Sequence, residues 1–266
     1  ERRREGSGMG QILKNVTSGK LNKPFRVLLY GKGGIGKTSW ASQAPKPIFL
    51  GEHGGSDELD VPRLPKIDSW DQAVSSIDEL LIDEHDYQSL VIDTLDWFEP
   101  ILWRTTCTRG MNGRAYKSLQ DFGFGKGEKS ALDDWRLLLS KLETLEDKRG
   151  MNVILLAHSH IKTFQNPDGD PYDRMELKLE KQAAALFLEW PKAVLFATFE
   201  TYVKKEKGDR KGKAYGEGAR IVHTQPRPTW DAKSRYPLPP TMALSWRDLA
   251  SAARGRPAMA PVDHKA

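Results

Sequence analysis

Short apolar runs alternate with amphipathic segments along most of the chain. Five runs have the length of a buried strand, and they cover residues 25–30, 47–50, 89–93, 153–156 and 193–199. Apolar positions spaced by three and four residues predict helices over Trp70–Leu81 and Leu132–Leu145, and a further helix can begin at Thr38. Continuous apolar strands separated by helices are typical of a parallel sheet covered on both faces. We therefore predict an α/β fold with a mainly parallel sheet flanked by helices.

The pattern changes after residue 200. Thr201–Val203 and Arg220–His223 flank a segment rich in lysine and glycine, in which residues 204–213 hold six basic and two acidic side chains. Two short strands around such a segment predict a C-terminal β-hairpin with a long tip. We therefore expect one domain over residues 9–250, preceded by a tag or disordered segment at 1–8 and followed by a flexible tail at 251–266.

Composition and charge narrow the class of protein. A length of 266 residues suits one α/β domain, and no apolar run reaches the ~18 residues of a membrane-spanning helix, so we expect no membrane contact. The single cysteine, Cys107, excludes an intrachain disulfide and favours a reducing, cytoplasmic compartment. The net charge of +5 is unevenly spread, because residues 50–100 hold 2 basic and 14 acidic side chains and residues 203–256 hold 13 and 5. Blocks of this size indicate charged partners or neighbouring subunits of opposite charge.

The strongest chemical signal is a glycine-rich segment directly after the first predicted strand. It fits the P-loop pattern G-x-x-x-x-G-K-[ST] and consists of Gly31, Lys32, Gly33, Gly34, Ile35, Gly36, Lys37 and Thr38, followed by Ser39. In this motif the glycines let backbone N–H groups surround phosphates, the lysine reaches the β- and γ-phosphates, and the hydroxyl binds Mg²⁺. We therefore predict that the chain binds ATP and Mg²⁺, with Lys37 acting on the phosphates and Thr38 on the metal.

Two acidic residues at the ends of predicted strands complete the expected ATPase chemistry. Asp93 ends the apolar run Leu90–Ile92, a pattern that predicts a second ligand for Mg²⁺. Glu52 follows the second predicted strand, and strand ends in a parallel sheet face the nucleotide crevice. We therefore predict that Glu52 activates water for hydrolysis. A solvated loop acid is the alternative for Glu52.

Taken in order, these segments resemble the RecA-like ATPase core. The resemblance is greatest to small phage and prophage ATP-binding proteins, single-strand annealing recombinases that consist of the core alone. It is carried by the P-loop, Ile48–Asp60, Val153–His158 and Trp230–Tyr236, and it covers about residues 20–250. It implies a RecA-like P-loop fold, a homo-oligomeric ring or filament, binding to single-stranded DNA, and a single-strand-binding protein as a further partner.

The resemblance also implies roles for three further side chains. In RecA-like proteins the residue that ends the fourth strand senses the γ-phosphate and passes its state to a DNA-binding loop. His158 has this position, where the family often has glutamine, and an imidazole can donate one hydrogen bond. Lys233 and Arg235 match basic residues that point across a subunit interface at the neighbour's γ-phosphate, where they stabilise charge in the transition state.

The same resemblance implies DNA-binding loops after the third and fourth strands. Residues 104–129 hold six basic and two acidic side chains with phenylalanines between glycines, which suits base stacking and phosphate neutralisation. The expected contacts there are Arg104, Arg109, Arg114, Lys117, Phe122, Phe124 and Lys126. Packing against the core is the alternative for the two phenylalanines. Residues 160–181 are slightly acidic, so the resemblance alone implies contacts from Lys162, Phe164 and Arg174.

Other functions are also compatible with the P-loop. Lys32 fits the deviant motif of the MinD/ParA group, x-K-G-G-x-G-K-[ST], in which this lysine reaches a partner's nucleotide. Those proteins usually follow the second strand with Asp-x-Asp, whereas this chain has Gly51-Glu52-His53. A P-loop phosphotransferase and a non-hydrolysing, ATP-gated DNA-binding module are further alternatives. The interpretation we prefer is a Mg²⁺-dependent ATPase, stimulated by DNA, that promotes strand annealing or recombination.

Overall fold

Nine strands form one sheet among the residues that the structure describes. The computed structural model describes residues 15–19, 21, 23–51, 53–204, 213–215 and 218–255, with the backbone alone for residues 53, 202–204 and 213–215. The strands are β1 (Arg26–Gly31), β2 (Pro47–Gly51), β3 (Ser89–Asp93), β4 (Asn152–Phe164), β5 (Tyr172–Leu177), β6 (Ala193–Phe199), β7 (Tyr202–Lys204), β8 (Lys213–Tyr215), β9 (Arg220–His223), β10 (Lys233–Ser234) and β11 (Thr241–Ala243). The main sheet has the order β11–β9–β6–β1–β4–β3–β2, with β5 beside β4 and β10 beside β6, while β7 and β8 pair separately.

The centre of this sheet is parallel. The strands β6, β1, β4, β3 and β2 run in one direction, and Leu28 of β1 lies level with Leu155 of β4 and Val194 of β6. Every residue of β3 is buried, as are all but the first residue of β1. Strands buried on both faces are typical of parallel sheets between two helical layers. The predicted α/β fold with a mainly parallel sheet is therefore confirmed.

Six α-helices cover the two faces of the sheet in the described part of the chain. They are α1 (Lys37–Ala41), α2 (Trp70–Ile82), α3 (Leu95–Arg109), α4 (Lys126–Arg149), α5 (Lys181–Glu189) and α6 (Trp246–Ala253). One face packs against α2, α3, α4 and α5 through a cluster that includes Trp70, Trp135 and Phe187. The other face packs against α1 and α6 through Trp40 and Trp246. The sheet thus lies between two separate apolar cores.

The two helices predicted from periodicity are present near the expected positions. α2 begins after Ser69, whose side chain accepts a hydrogen bond from the Gln72 amide while the Gln72 side chain reaches back in a capping box. α4 begins before its first periodic leucine and ends at Gly150, where φ is +65° and glycine is favoured. Amphipathic burial thus predicts both helices, while the capping box of α2 and the glycine after α4 define one end of each.

Two parts of the fold differ from the prediction. α3 includes the first residues of the segment 104–129, for which the sequence predicts a loop. Its apolar side chains surround much of the helix and Pro100 interrupts the pattern, so periodicity did not indicate it. The expected pairing of Thr201–Val203 with Arg220–His223 is wrong, since β7 pairs with β8 and β9 pairs with β6. Val222 is buried in the second core, which explains why β9 joins the main sheet.

The predicted limits of the domain can be compared with the structure only within the described residues. α6 continues past the expected domain limit at residue 250, and Ala252 is buried. The expected tag at 1–8, most of the hairpin tip at 204–213 and residues 256–266 lie outside the described residues. Within the described ranges, no helix has both the length and the apolarity to cross a lipid bilayer.

Candidate functional site

The glycine-rich loop joins the carboxyl end of β1 to the start of α1. A Cβ atom on Gly31 would lie 2.3 Å from the Ala197 carbonyl oxygen, so only glycine fits between β4 and β6. Gly34 and Gly36 have φ values of +77° and +97°, which also favour glycine. Ile35 is fully buried and attaches the loop to the core. The loop lines a cavity of about 430 Å³.

Lys37 is held inside this loop. It is 5% exposed, and its Nζ donates hydrogen bonds to the carbonyl oxygens of Gly31 and Lys32, both at 3.1 Å. Burial lowers the pKa of the Lys37 ammonium, and the nearby carboxylates of Asp93 and Asp96 oppose this effect. The partners of Nζ are neutral carbonyls, so an anion in the cavity would give this ammonium a stronger, charge-assisted hydrogen bond.

A hydroxyl and a carboxylate meet beside the cavity, as expected for a Mg²⁺ site. Thr38 Oγ1 donates to Asp93 Oδ2 at 2.8 Å. Burial raises the pKa of Asp93, while the Thr38 hydrogen bond and the Lys37 charge lower it. Within the described residues, no group of three or more His, Cys, Asp or Glu side chains could hold a metal. Two hard oxygen ligands nevertheless fit Mg²⁺, which usually takes its other ligands from water and phosphate.

Gly55 brings the backbone close to this pair. A Cβ atom on Gly55 would lie 3.3 Å from Thr38 Oγ1 and 3.7 Å from Asp93 Oδ2. Gly55 ends the short 3₁₀ helix His53–Gly55 that follows β2. The predicted water-activating residue, Glu52, lies outside the described residues. The segment directly after it therefore covers the site at which a metal ligated by Thr38 and Asp93 would bind.

His158 and Asp96 form a fixed pair on the β4 side of the cavity. Asp96 Oδ1 accepts a hydrogen bond from the His158 backbone N–H at 2.9 Å, and Oδ2 lies 2.9 Å from Nδ1. Burial opposes ionisation of Asp96, but the hydrogen bonds from His158 hold its pKa below the usual value. A carboxylate at Nδ1 assigns the proton of the neutral ring to Nδ1. Nε2 then faces the loop, where a Cβ atom on Gly33 would lie 3.9 Å from it.

This tautomer changes what His158 can do. The single N–H of a neutral ring is already used by Asp96, so Nε2 presents a lone pair towards the P-loop. A neutral His158 can therefore accept a hydrogen bond from water, and only the imidazolium can donate one to a phosphate oxygen. The expected donation from His158 to a γ-phosphate thus requires the charged ring.

Sequence reasoning missed two side chains at this site. Asp96 lies in the first turn of α3, three residues after Asp93 ends β3, and its contact with His158 spans 62 residues of chain. Arg220, the first residue of β9, lines the cavity, and a Cβ atom on Gly36 would lie 2.7 Å from Arg220 Nη1. The position of Asp96 shortly after the end of β3 was a usable signal, because strand ends in a parallel sheet face the nucleotide crevice. No local signal indicated Arg220, because its position depends on the pairing of β9 with β6.

A second cavity, of about 540 Å³, adjoins the first and shares Thr94 and His158 with it. Lys178 lines this cavity and lies 4.0 Å from Asp96 Oδ2. Its other polar and aromatic lining residues include Lys66, Asp68, Trp97 and Arg104. The His158–Asp96 pair therefore stands between a phosphate-type cavity and a second cavity lined by both cationic and acidic side chains.

Comparison with known proteins agrees with the geometry around the P-loop. A sequence model of the AAA domain family matches residues 23–236, which is more than half of the chain. The chain belongs to the AAA domain family. It is therefore a P-loop ATPase in the general sense. A search of curated proteins finds no match to this AAA domain.

Lys233 and Arg235 lie at the opposite end of the sheet of this AAA domain. Lys233 stands level with Leu28, three residues before Gly31, which corresponds to about 10 Å along the strand. Its Nζ donates to the carbonyl oxygen of Glu189, which precedes β6, and burial lowers its pKa. The backbone N–H of Arg235 donates a hydrogen bond to the carbonyl oxygen of the residue directly before β6. In this arrangement Lys233 does not contact the phosphate cavity of its own chain.

The residues predicted to bind DNA between 104 and 129 separate into two groups. Phe122 is buried and stacks on Tyr116 with ring centroids 4.1 Å apart, and Arg109 pairs with Asp134 at 2.6 Å. Core packing, the alternative for the phenylalanines, therefore describes Phe122. Phe124 is fully exposed, with φ of +51°. The remaining members are also exposed, and they are Arg104, Arg114, Lys117 and Lys126.

The second group of predicted contacts lies on a two-stranded ribbon. The first six residues of β4 lie in the core apart from the outermost. The last seven are more exposed, and the final six of these pair with β5. Lys162 lies 3.5 Å from Glu176, and Arg174 pairs with Asp231 at 2.8 Å and covers the ring of Phe164. These cations have acidic partners within the chain, so charge alone does not mark the ribbon as a DNA-binding surface.

Proposed function

We propose that this AAA domain is an ATP-dependent protein of DNA recombination or strand annealing, of the phage RecA-like type. It binds Mg²⁺ and ATP, hydrolyses ATP, and assembles as a homo-oligomer on single-stranded DNA. The observation that carries the proposal is the course of β4, which runs without a break from the P-loop cavity at His158 into the β4–β5 ribbon. One strand thereby joins the P-loop cavity to a two-stranded ribbon, which would contact a second ligand if that ligand displaced the acidic partners of Lys162 and Arg174.

The His158–Asp96 pair supports coupling between the two cavities. Nε2 faces the P-loop, and Nδ1 is held by a carboxylate that also lies 4.0 Å from Lys178 of the second cavity. A new contact at Nε2 would alter the charge balance around Asp96, and hence the attraction between Asp96 and Lys178. The second cavity offers cations for a phosphodiester and Trp97 for a base, which is the combination that single-stranded nucleic acid requires.

The chemistry proposed for the P-loop cavity uses the residues already placed there. Lys37 neutralises charge on the phosphates, and Thr38 and Asp93 would hold Mg²⁺. When bound, Mg²⁺ neutralises charge that develops on phosphate oxygens during transfer. Glu52 is proposed to activate the attacking water, and His158 to sense the γ-phosphate. Dependence on Mg²⁺ and stimulation by DNA are part of this proposal.

A surface suited to nucleic acid lies around the start of α4. Phe124 is fully exposed, and Lys117 and Lys126 are exposed near it in sequence. An aromatic side chain beside cations can stack on a base while neutralising the backbone. We include these residues in the proposed DNA contact, with Arg104 and Arg114. The ribbon residues Lys162, Phe164 and Arg174 would join this contact only if DNA displaces their acidic partners.

Oligomer formation is a further part of the proposal. Lys233 lies at the far end of the sheet from its own P-loop, so an action on phosphate would have to be on a neighbour's nucleotide. Arg235 is placed in the same role. The acidic block at 50–100 and the basic block at 203–256 are complementary in sign, which favours contacts between subunits. A single-strand-binding protein remains the additional partner that we propose.

The experiment that tests the function measures ATP binding and hydrolysis with and without single-stranded DNA. We expect wild type to bind ATP and to hydrolyse it faster when DNA is present, and Lys37→Ala to lose hydrolysis by at least about a hundredfold because a buried phosphate ligand is removed. Binding without DNA stimulation, or transfer of the γ-phosphate to another acceptor, would favour the alternative ATPase or phosphotransferase functions.

A matched pair of surface variants tests the DNA contact in the same assay. Phe124→Ala removes the exposed ring just before α4, while Leu137→Ala removes an exposed apolar side chain on α4 itself. Base stacking contributes about 1–3 kcal/mol, so we expect Phe124→Ala to weaken DNA binding about fivefold or more. Equal DNA affinities for the two variants would remove Phe124 from the proposed interface.

A further inference from the structure

Arg220 approaches the P-loop from the side opposite to the proposed metal site. It begins β9, which lies beside β6, whereas Asp93 ends β3 on the other side of β1. Its guanidinium lines the P-loop cavity. In the described part of the chain no carboxylate forms an ion pair with Arg220. A cation is therefore directed at an anion-binding loop from a strand that the P-loop motif does not include.

The position of Arg220 along the loop is well defined. A Cβ atom on Gly36 would lie 2.7 Å from Arg220 Nη1 and 3.6 Å from Leu244 Cδ2. His158 instead faces Gly33, near the beginning of the loop. The two ends of the loop thus face different side chains: an imidazole on the β4 side, and a guanidinium with an apolar neighbour on the β9 side.

This polarity indicates how a nucleotide would lie. The residues that would hold Mg²⁺, Thr38 and Asp93, lie towards β3, and Mg²⁺ would there neutralise charge at the β- and γ-phosphate end of the nucleotide. The γ-phosphate therefore belongs on the side of β4 and β3. The α-phosphate and the nucleoside then lie towards Gly36, β6 and β9, where Arg220 and Leu244 stand.

We propose that Arg220 binds the α- or β-phosphate of the nucleotide held by its own chain. A guanidinium presents several N–H donors in a rigid plane and forms strong, often bidentate hydrogen bonds with phosphate. ADP and ATP share the α- and β-phosphates, so Arg220 stabilises both nucleotides to the same extent. Such uniform binding lowers KM without raising kcat. The inference concerns nucleotide binding alone and holds whether or not the protein acts on DNA.

Binding measurements with ADP and a non-hydrolysable ATP analogue, each with Mg²⁺, test this role. Arg220→Gln removes the charge from the cavity, and Arg247→Gln removes the same charge from an exposed site on α6. We expect Arg220→Gln to weaken both nucleotides by a similar factor of about ten or more, and Arg247→Gln to weaken neither. His158→Asn should weaken the ATP analogue more than ADP.

Three results would overturn the proposal. ADP affinity could be the same in Arg220→Gln and wild type, Arg247→Gln could lose as much affinity as Arg220→Gln, or Arg220→Gln could weaken the ATP analogue alone. An unchanged ADP affinity would mean that Arg220 does not contact the nucleotide. An equal loss in Arg247→Gln would mean that only the overall charge of the protein matters. A loss for the ATP analogue alone would mean that Arg220 contacts the γ-phosphate. Circular dichroism of each variant confirms that the fold is retained.

Discussion

Glu99 lies in an environment that should make the stability of this domain depend on pH. It is 7% exposed on α3, and both of its carboxyl oxygens accept the backbone N–H of Glu180, at 3.0 and 3.2 Å. Burial raises the pKa of Glu99 from 4.5 to about 7; the hydrogen bond from Glu180 opposes the shift and the Glu180 charge adds to it. Glutamine at this position has the same shape, keeps an acceptor for the Glu180 amide and cannot ionise.

The sign and size follow from proton linkage. The unfolded chain loses the Glu99 proton near pH 4.5, whereas the folded chain keeps it until about pH 7. The contribution of Glu99 to the free energy of unfolding is therefore fully present below pH 4.5, decreases as the pH rises to 7, and is lost above pH 7. At about 1.4 kcal/mol per pH unit, the full decrease is about 3 kcal/mol. The unfolding free energy of Glu99→Gln should not show this decrease, because glutamine does not ionise.

Urea unfolding of wild type and Glu99→Gln at about pH 5 and about pH 8.5 measures the effect. Between these conditions, the difference in unfolding free energy should move by about 2.5 kcal/mol in favour of the variant. Glu79→Gln, a substitution of an exposed glutamate on α2, is the control and should show no such change. If the difference between wild type and Glu99→Gln is the same at both pH values, Glu99 is ionised throughout and the reasoning from burial fails.

Two further substitutions examine the P-loop cavity. Asp96→Asn should lower kcat about tenfold without changing ADP affinity, because the His158 ring loses its fixed orientation. If Asp96 acts through His158, the double variant Asp96→Asn, His158→Asn should be no slower than the slower of the two single variants. Additive losses of kcat in the double variant would contradict this role. Gly55→Ala places a Cβ atom 3.3 Å from Thr38 Oγ1 and should raise the Mg²⁺ concentration needed for half-maximal activity severalfold. Gly54→Ala meets nothing within 4 Å and is the matched control, and equal Mg²⁺ requirements in these two variants would refute the crowding argument.

The central sheet could be predicted from the sequence because its strands are apolar on both faces. The runs at Ser89–Asp93 and Ala193–Phe199 match the observed strands residue for residue. α3 could not be predicted in the same way, since periodicity requires one polar face and this helix is buried over much of its circumference. The pairing of β9 with β6 depends on the burial of Val222 against distant residues, which no local pattern contains.

The contacts of the candidate site also differ in whether the sequence could predict them. The contact between Thr38 and Asp93 joins residues 55 positions apart, yet the motif chemistry of each residue was enough to predict it. The hydrogen bonds of Asp96 to His158 and the approach of Arg220 to Gly36 depend on the register of neighbouring strands. Motifs thus predict the atoms that every P-loop needs, whereas the side chains particular to this chain become visible only when the sheet is assembled.

The distance between Lys233 and the P-loop has a consequence for assembly. If Lys233 completes a neighbour's site, the two contacting surfaces of each subunit are different, so the interface is heterologous and repeats head to tail. A closed ring of such subunits has as many complete sites as subunits. An open filament has one fewer, because the P-loop at one end has no neighbour. Specific ATPase activity would then rise with filament length and be independent of size in a ring, so a rate measurement alone could distinguish the two architectures.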